Sequence, residues 1–315
     1  MVRKTAASGK AVSLIISLFC RKVILMGVAG FGAKPVCRLY SLNSLYVISC
    51  FPCSLPTGPT GQLTGFDTIF TFQVSDHSRT CSDHVNPNFS LNLYRSCAVH
   101  GGDGFAFVIH GDPRNVSAIG GDGQDLGYGG ISNSLAVEFD MWTNVDTQGS
   151  DDIFFDHVSI HSDSVRPNSS NASTALGYWR QTNLADGKIH SARIQYLPYV
   201  ETKYFELMTA NDNLLPYLKD NGEGRRLGTL AVFVDDGIAD DKPLLAIPIN
   251  LSILLHLPES LAYAGFTAST GMKWEKHDIL SWHWCDTNCR RGDIEEMLRS
   301  EAKMDHATSN KLHYS

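Results

Sequence analysis

The sequence predicts an all-β fold, an antiparallel sandwich of two packed sheets. Short stretches that alternate apolar with polar residues recur from residue 61 onward, the period of strands that bury one face. Gly, Pro, Asn and Asp separate these stretches at close spacing, and helix-length periodic windows are few. Charged residues make up 19% of the chain, against roughly a quarter in ordinary soluble domains. Glycines number 27 and aromatics reach 10%, a balance that favours strands and turns over surface helices.

Taken in order, the first sixty residues carry the least pattern. Lys4 and Lys10 precede AVSLIISLFC, a run the length of a signal-peptide core, but Arg21 and Lys22 follow it before VILMGVAGFGA. A signal sequence and an unpatterned segment both stand as readings of residues 1–60. No apolar run reaches the roughly 18 residues that a spanning helix needs, so direct membrane insertion is not expected.

Residues 61–284 form the expected domain. Its strand candidates are GFDTIFTFQV, GDGFAFVIH, LAVEFDMW, DHVSIHS, KIHSARIQYL, GTLAVFVDD, LLAIPINLSI, AYAGFTAST and HDILSWHW. Each buries alternate residues, which gives two sheets face to face. Residues 285–315 read as a tail, helical in part: Asp293 is placed to cap a helix with Glu296 three residues on, and Ile294, Met297 and Leu298 share one face.

A formal charge of -7 and a pI near 5.9, with no long basic run, argue against nucleic acid and acidic membrane surfaces as partners. Cys81 and Cys97 lie in a polar segment between strand candidates, as a loop-closing disulfide would, while Cys50 and Cys53 form a CxxC with no second half. Sequons occur at Asn88, Asn115, Asn168, Asn171 and Asn250, the last the weakest because IPINLSI reads as a half-buried strand. Together these favour the secretory pathway, the cell surface or the extracellular space.

The most informative stretch is 135–161. Glu138 and Asp140 alternate with Val137 and Phe139, so both carboxylates leave one face of a strand. Asn144 follows on a loop, then Asp151 and Asp152, then His157 at the start of the next strand. Carboxylates and an amide oxygen suit calcium, and the imidazole adds a transition-metal position beside it.

The blocks DGFAFVIH, LGYGGISNSLAVEFDMWTN, DHVSIHS and AYAGFTASTG…HDILSWHW, in this order, resemble the L-type (legume-type) lectin domain. That resemblance implies a concanavalin A-like jelly roll and non-catalytic, calcium-dependent binding of glycans or glycoproteins. It also implies Ca2+, with Mn2+ or another transition metal beside it, and a homo-oligomer formed through sheet edges. Glu138, Asp140, Asp152 and His157 match the transition-metal ligands. Asp140, Asp152, Asn144 and the main-chain carbonyl of Trp142 match those of calcium. Asp151 competes with Asp152 for the shared place, and Asp146 and Asp156 read as solvated loop carboxylates.

For the sugar, Asp103 matches the carboxylate that accepts from two adjacent hydroxyls, and Asn144 the amide donor. Trp142 matches the aromatic platform, and Gly121 or Gly123 the backbone donor. Within GMKWE, from Gly271 to Glu275, Met272 and Lys273 lie in the variable loop that tunes sugar choice, and Trp274 offers a stacking surface. The family often has a cis peptide before its aspartate, here Gly102–Asp103. A neutral sugar needs fixed acceptors, fixed donors and an apolar platform, which is what this set offers. Jelly-roll glucanases provide the enzymatic alternative, with an E-x-D-x-x-E strand. Glu138 and Asp140 begin that pattern, but Thr143 stands where its last carboxylate belongs. A structural or adhesion module that binds no sugar is the third reading.

Overall fold

The computed structural model describes residues 23–26, 37–42, 45–54, 63–86, 89–144, 156–180, 184–210, 227–256, 261–270 and 274–286. In chain order its first eight strands are β1 (Val23–Met26), β2 (Cys37–Leu42), β3 (Leu45–Ser54), β4 (Phe66–Ser75), β5 (Ser78–Asn86), β6 (Phe89–His100), β7 (Gly104–His110) and β8 (Ser134–Asp140). The others are β9 (His157–His161), β10 (Gly177–Arg180), β11 (Ile189–Leu197), β12 (Gly228–Val234), β13 (Leu245–Ile249), β14 (Leu261–Ser269) and β15 (Lys276–Asp286). Three short helices interleave: α1 (Phe205–Thr209), α2 (Asp236–Ala239) and α3 (Leu251–Leu255).

The strands build the expected sandwich. One sheet runs β1-β15-β4-β11-β12-β13 and the other β10-β9-β8-β7-β14-β3-β2, while β5 and β6 form a separate hairpin. Pairing is antiparallel except between β1 and β15. Between the sheets the alternate residues form one core. Phe105 of β7 and Phe139 of β8 stack with centroids 4.8 Å apart and planes 4° apart, and Phe70 of β4 meets Phe139 edge-on at 5.8 Å and 80°. Aromatic pairs in these geometries add about 0.5–1.5 kcal/mol each beyond their burial.

The outer face of β7 and β8 is also covered. Ala106, Val108 and Ala136 pack beneath Ala118, Leu126, Tyr128 and Ile131 of the glycine-rich connection. Every residue of β8 is therefore buried, although its sequence alternates. This cover brings the carboxylate-bearing face of β8 out of water.

The chain departs from the sequence expectations at particular points. Segments within residues 23–54, part of the stretch read as a signal sequence or as unpatterned, supply β1 to one sheet and β2 and β3 to the other. The polar segment carrying Cys81 and Cys97 is the β5–β6 hairpin, and the two cysteines occupy directly opposed positions in it. The stretch read as one strand, LLAIPINLSI, ends its strand at Ile249. Asn250 then caps α3, its side-chain oxygen accepting from the Ile253 N–H at 3.2 Å. An asparagine that completes its own backbone turn outcompetes the next ladder bond. The C-terminal helix expected from Asp293 lies outside the described residues.

Candidate functional site

Strand register gathers the predicted chemistry at one end of the seven-stranded sheet. Asp140 pairs with Gly104 on one side and with His157 on the other, and Glu138 pairs with Ser159. Ser269, at the end of β14, lies opposite Gly104. Since β8 and β9 alternate, Glu138, Asp140, His157, Ser159 and His161 all fall on the outer face beneath the glycine-rich loop.

Glu138, Asp140 and His157 are buried, and their ligand atoms lie within 4.8 Å of one another. The Nε2 of His157 is 3.3 Å from Oε1 of Glu138. The same oxygen accepts from the Ser159 hydroxyl at 2.5 Å and lies 3.3 Å from Nε2 of His161, while Oε2 accepts from the Tyr128 hydroxyl at 2.6 Å. Burial alone would raise the Glu138 pKa, but the His161 charge and the hydrogen bonds from His157 and His161 outweigh it and hold the carboxyl well below its ordinary value. Tyr128 moves the other way: burial and the neighbouring carboxylate push its phenol well above the ordinary range, so it stays a neutral donor.

A dry carboxylate pair with one imidazole fits a divalent transition ion. Glu138, Asp140 and His157 would hold it. Tyr128, Ser159 and His161 orient Glu138 from behind, as outer partners orient metal ligands elsewhere. None of these three stood out in the sequence as a site residue. Ser159 and His161 were recoverable, because they alternate with His157 on the same strand face; Tyr128 was not, because its position depends on the fold of a glycine-rich loop.

Asp140 also organises the loop that follows: its Oδ1 accepts from the Trp142 N–H at 2.6 Å. Trp142 is half-buried, and its side chain packs on Gly102, where a Cβ would lie 3.0 Å from the Trp142 Cβ. Gly102 has φ +151°, a conformation that favours glycine, and its peptide to Asp103 is cis, as expected. Asn144 is half-buried and ends this described stretch. Asp151, Asp152 and Asp146, like Gly271, Met272 and Lys273, lie outside the described residues. Asp156 is half-buried rather than solvated, and burial followed by the Glu275 charge raises its pKa.

Asp103 is 6% exposed, and Oδ2 has no hydrogen-bond partner among the described residues. Its backbone is held on both sides, the N–H donating to Ser269 O at 3.0 Å and the carbonyl accepting from Met141 N–H at 3.0 Å. Burial raises its pKa to about 6, with Glu275 and Asp122 adding to the rise while His277 and a hydrogen bond from Ser269 oppose it. Of the two glycines considered as donors, Gly121 directs its N–H to Gly129 O at 2.8 Å inside its own loop. Gly123 donates to the Ser269 hydroxyl at 2.6 Å, and so faces the Asp103 end of the sheet.

The legume lectin domain model matches residues 50–297. A probable L-type lectin-domain containing receptor kinase VII.2 of Arabidopsis thaliana is 29% identical over 199 residues, 61% of this chain but only 25% of that protein, so the chain spans about a quarter of its length. The lectin-like protein At1g53060 of the same plant is 28% identical over 246 residues, covering 72% of this chain and 78% of the relative. Among solved structures, lectin II from Ulex europaeus aligns over 80% of this chain and 86% of its own, with a TM-score of 0.45 and 17% identity.

Proposed function

The chain belongs to the legume lectin domain family, a family of carbohydrate-binding domains, and on that premise we propose that it binds glycans without catalysis and in dependence on calcium. The observation that carries this reading is the Asp103 carboxylate. It is buried, fixed through its backbone, and offers an oxygen with no partner among the described residues. A buried acceptor left unmatched is costly, and two adjacent sugar hydroxyls would satisfy it with charge-assisted hydrogen bonds. Gly102 and Trp142, packed together beside it, place an aromatic surface next to that acceptor.

In this reading Gly121 or Gly123 of the glycine-rich loop supplies the backbone donor, Gly123 by exchanging its bond to the Ser269 hydroxyl for one to the sugar, Asn144 the amide, and Met272 and Lys273 the variable rim. Asp140, Asp152, Asn144 and the Trp142 carbonyl would hold calcium, and Glu138, Asp140, Asp152 and His157 a manganese-type ion. Bound there, such ions would hold the loop in place ahead of the sugar and so lower the ordering cost of binding. Hydrolysis is set aside because Thr143 replaces the last carboxylate of the glucanase strand.

A glycoprotein of the secretory pathway or cell exterior, with a Cys81–Cys97 disulfide and paired through sheet edges, completes the proposal. Exposed sequons at Asn115 and Asn171 and the opposed cysteines support it. Among the described residues no helix is long and apolar enough to cross a membrane.

Glycan-array binding with and without EDTA tests the reading. Calcium-dependent binding that Asp103→Ala and Asn144→Ala both abolish is the expected outcome. Binding to no glycan would favour an interaction module, and release of reducing sugar from β-glucans that Glu138→Gln abolishes would make the protein a hydrolase.

A further inference from the structure

A second buried acid lies beside the sugar-site aspartate. Glu275 is 0% exposed, and each of its oxygens meets a different imidazole: Oε1 is 3.0 Å from Nε2 of His277, and Oε2 is 3.1 Å from Nδ1 of His77. The two histidines come from different places. His277 lies on β15, two residues after Glu275, whereas His77 belongs to the turn between β4 and β5. That turn is joined to the same segment by its backbone, Ser78 N–H donating to Trp274 O at 2.7 Å and Trp274 N–H to the Ser78 hydroxyl at 3.2 Å.

The turn carrying Asp103 rests on this cluster. A Cβ at Gly101 would lie 1.8 Å from Oε2 of Glu275 and 2.6 Å from Nδ1 of His77, so the carboxylate occupies the space that a side chain at 101 would fill. Gly102 packs on Trp142, and Asp103 follows. Glu275 thus lies beneath Gly101, two residues before Asp103.

We infer that Glu275, clamped between His77 and His277, is a positioning residue of the sugar site, which holds the Gly101–Asp103 turn in place and thereby governs affinity and sugar selectivity. The inference rests on the sugar-binding reading of Asp103. Electrostatics support it: burial would raise the Glu275 pKa, but hydrogen bonds from His277 and His77 outweigh it and keep the carboxyl ionised, while the bond to Glu275 raises the pKa of His77. Truncating the acid would leave two imidazoles without their acceptor and a void beneath Gly101.

The test uses the calcium-loaded full chain, with a glycan array, calcium titration and residue-resolved hydrogen exchange. Glu275→Ala is expected to weaken binding to the best array glycan about tenfold and flatten the preference among sugars, as loss of a buried hydrogen-bonded acceptor commonly does. Calcium affinity is expected to change less than about twofold, since Glu275 is not among the residues that would hold calcium. Exchange should quicken at Gly101–Asp103 and stay unchanged at Ser134–Asp140. Glu275→Gln, which can accept from one imidazole and donate to the other, should restore most of both. His77→Ala should match Glu275→Ala, and the double variant should be no worse than either single one, the non-additivity of residues that act as a unit. If the wild type binds no glycan, the sugar reading fails, and exchange at Gly101–Asp103 alone still decides the clamp. Wild-type exchange there in both Glu275→Ala and His77→Ala, faster exchange across the whole sheet, or additive losses would overturn the inference.

Discussion

Tyr128 donates its hydroxyl to Oε2 of Glu138 at 2.6 Å, linking the glycine-rich loop to the acidic strand it covers. Both groups are buried, and the phenol is held neutral. Tyr128→Phe keeps the ring's packing and removes only the donor, leaving a buried carboxylate oxygen short of a partner. The expected cost is about 1–3 kcal/mol of apo-protein stability, read from urea unfolding at unchanged m-value. A loss under about 0.5 kcal/mol would mean that the loop is not a structural part of the metal site.

The cluster of Glu138, Asp140 and His157 should make stability depend on metal. A ligand that binds only the folded state stabilises it by about 2.7 kcal/mol at a hundred times its dissociation constant. The melting temperature is therefore expected to rise when Ca2+ and Mn2+ are returned to EDTA-treated protein. His157→Ala should lose the increment due to Mn2+ and keep part of that due to Ca2+. A wild type indifferent to both ions would remove the metal site from the account.

What the sequence disclosed follows from where side chains repeat. Glu138 and Asp140 were legible because a strand's period of two puts alternate residues on one face, and β8 keeps that period. The partners of Glu138 were less so. Ser159 and His161 share the period of His157, but nothing local says which strand they oppose; Tyr128 reaches Glu138 only after the loop folds back over β8. Val23–Met26 gave no signal because a strand paired at a sheet edge needs no alternation of its own. At Asn250 the local capping bond decided against the strand that the apolar residues suggested. The clamp on Glu275 joins residues 77, 101 and 277, and no spacing in the sequence announces it.

The sequons are not equivalent in the folded protein. Asn168 is 5% exposed, and its amide donates to the Ser134 hydroxyl at 3.0 Å and to His161 O at 3.2 Å. Asn115 and Asn171 are exposed, Asn250 caps α3, and Asn88 lies outside the described residues. A glycan on Asn168 would take one of the two donor hydrogens, break at least one of these bonds, and could not be housed beside His161. Glycopeptide mass spectrometry of protein secreted from a glycosylating host should find occupancy at Asn115 or Asn171 and none at Asn168. Full occupancy at Asn168 in folded protein would contradict the packing behind β9.

The His77–Glu275 pair predicts a stability window in pH. Glu275 is lowered from 4.5 in the fold, so its contribution is present above that value and is lost as pH falls through the lowered one. His77 is raised from 6.5, so its contribution is complete below 6.5 and is lost as pH rises through the raised value. The pair therefore stabilises most between 4.5 and 6.5. Asp103, raised to about 6, and His110, lowered to about 4 mainly by burial, bend the total curve in other directions, so the difference between wild type and His77→Gln is the quantity to follow. Glutamine can still donate to Glu275 but carries no charge. Urea unfolding across the range should show wild type more stable than His77→Gln in mildly acidic buffer, with the gap closing as pH rises past the raised imidazole value. A gap that is constant from acid to alkaline pH would assign His77 a packing role alone, because only an ionisation linked to folding makes the difference depend on pH.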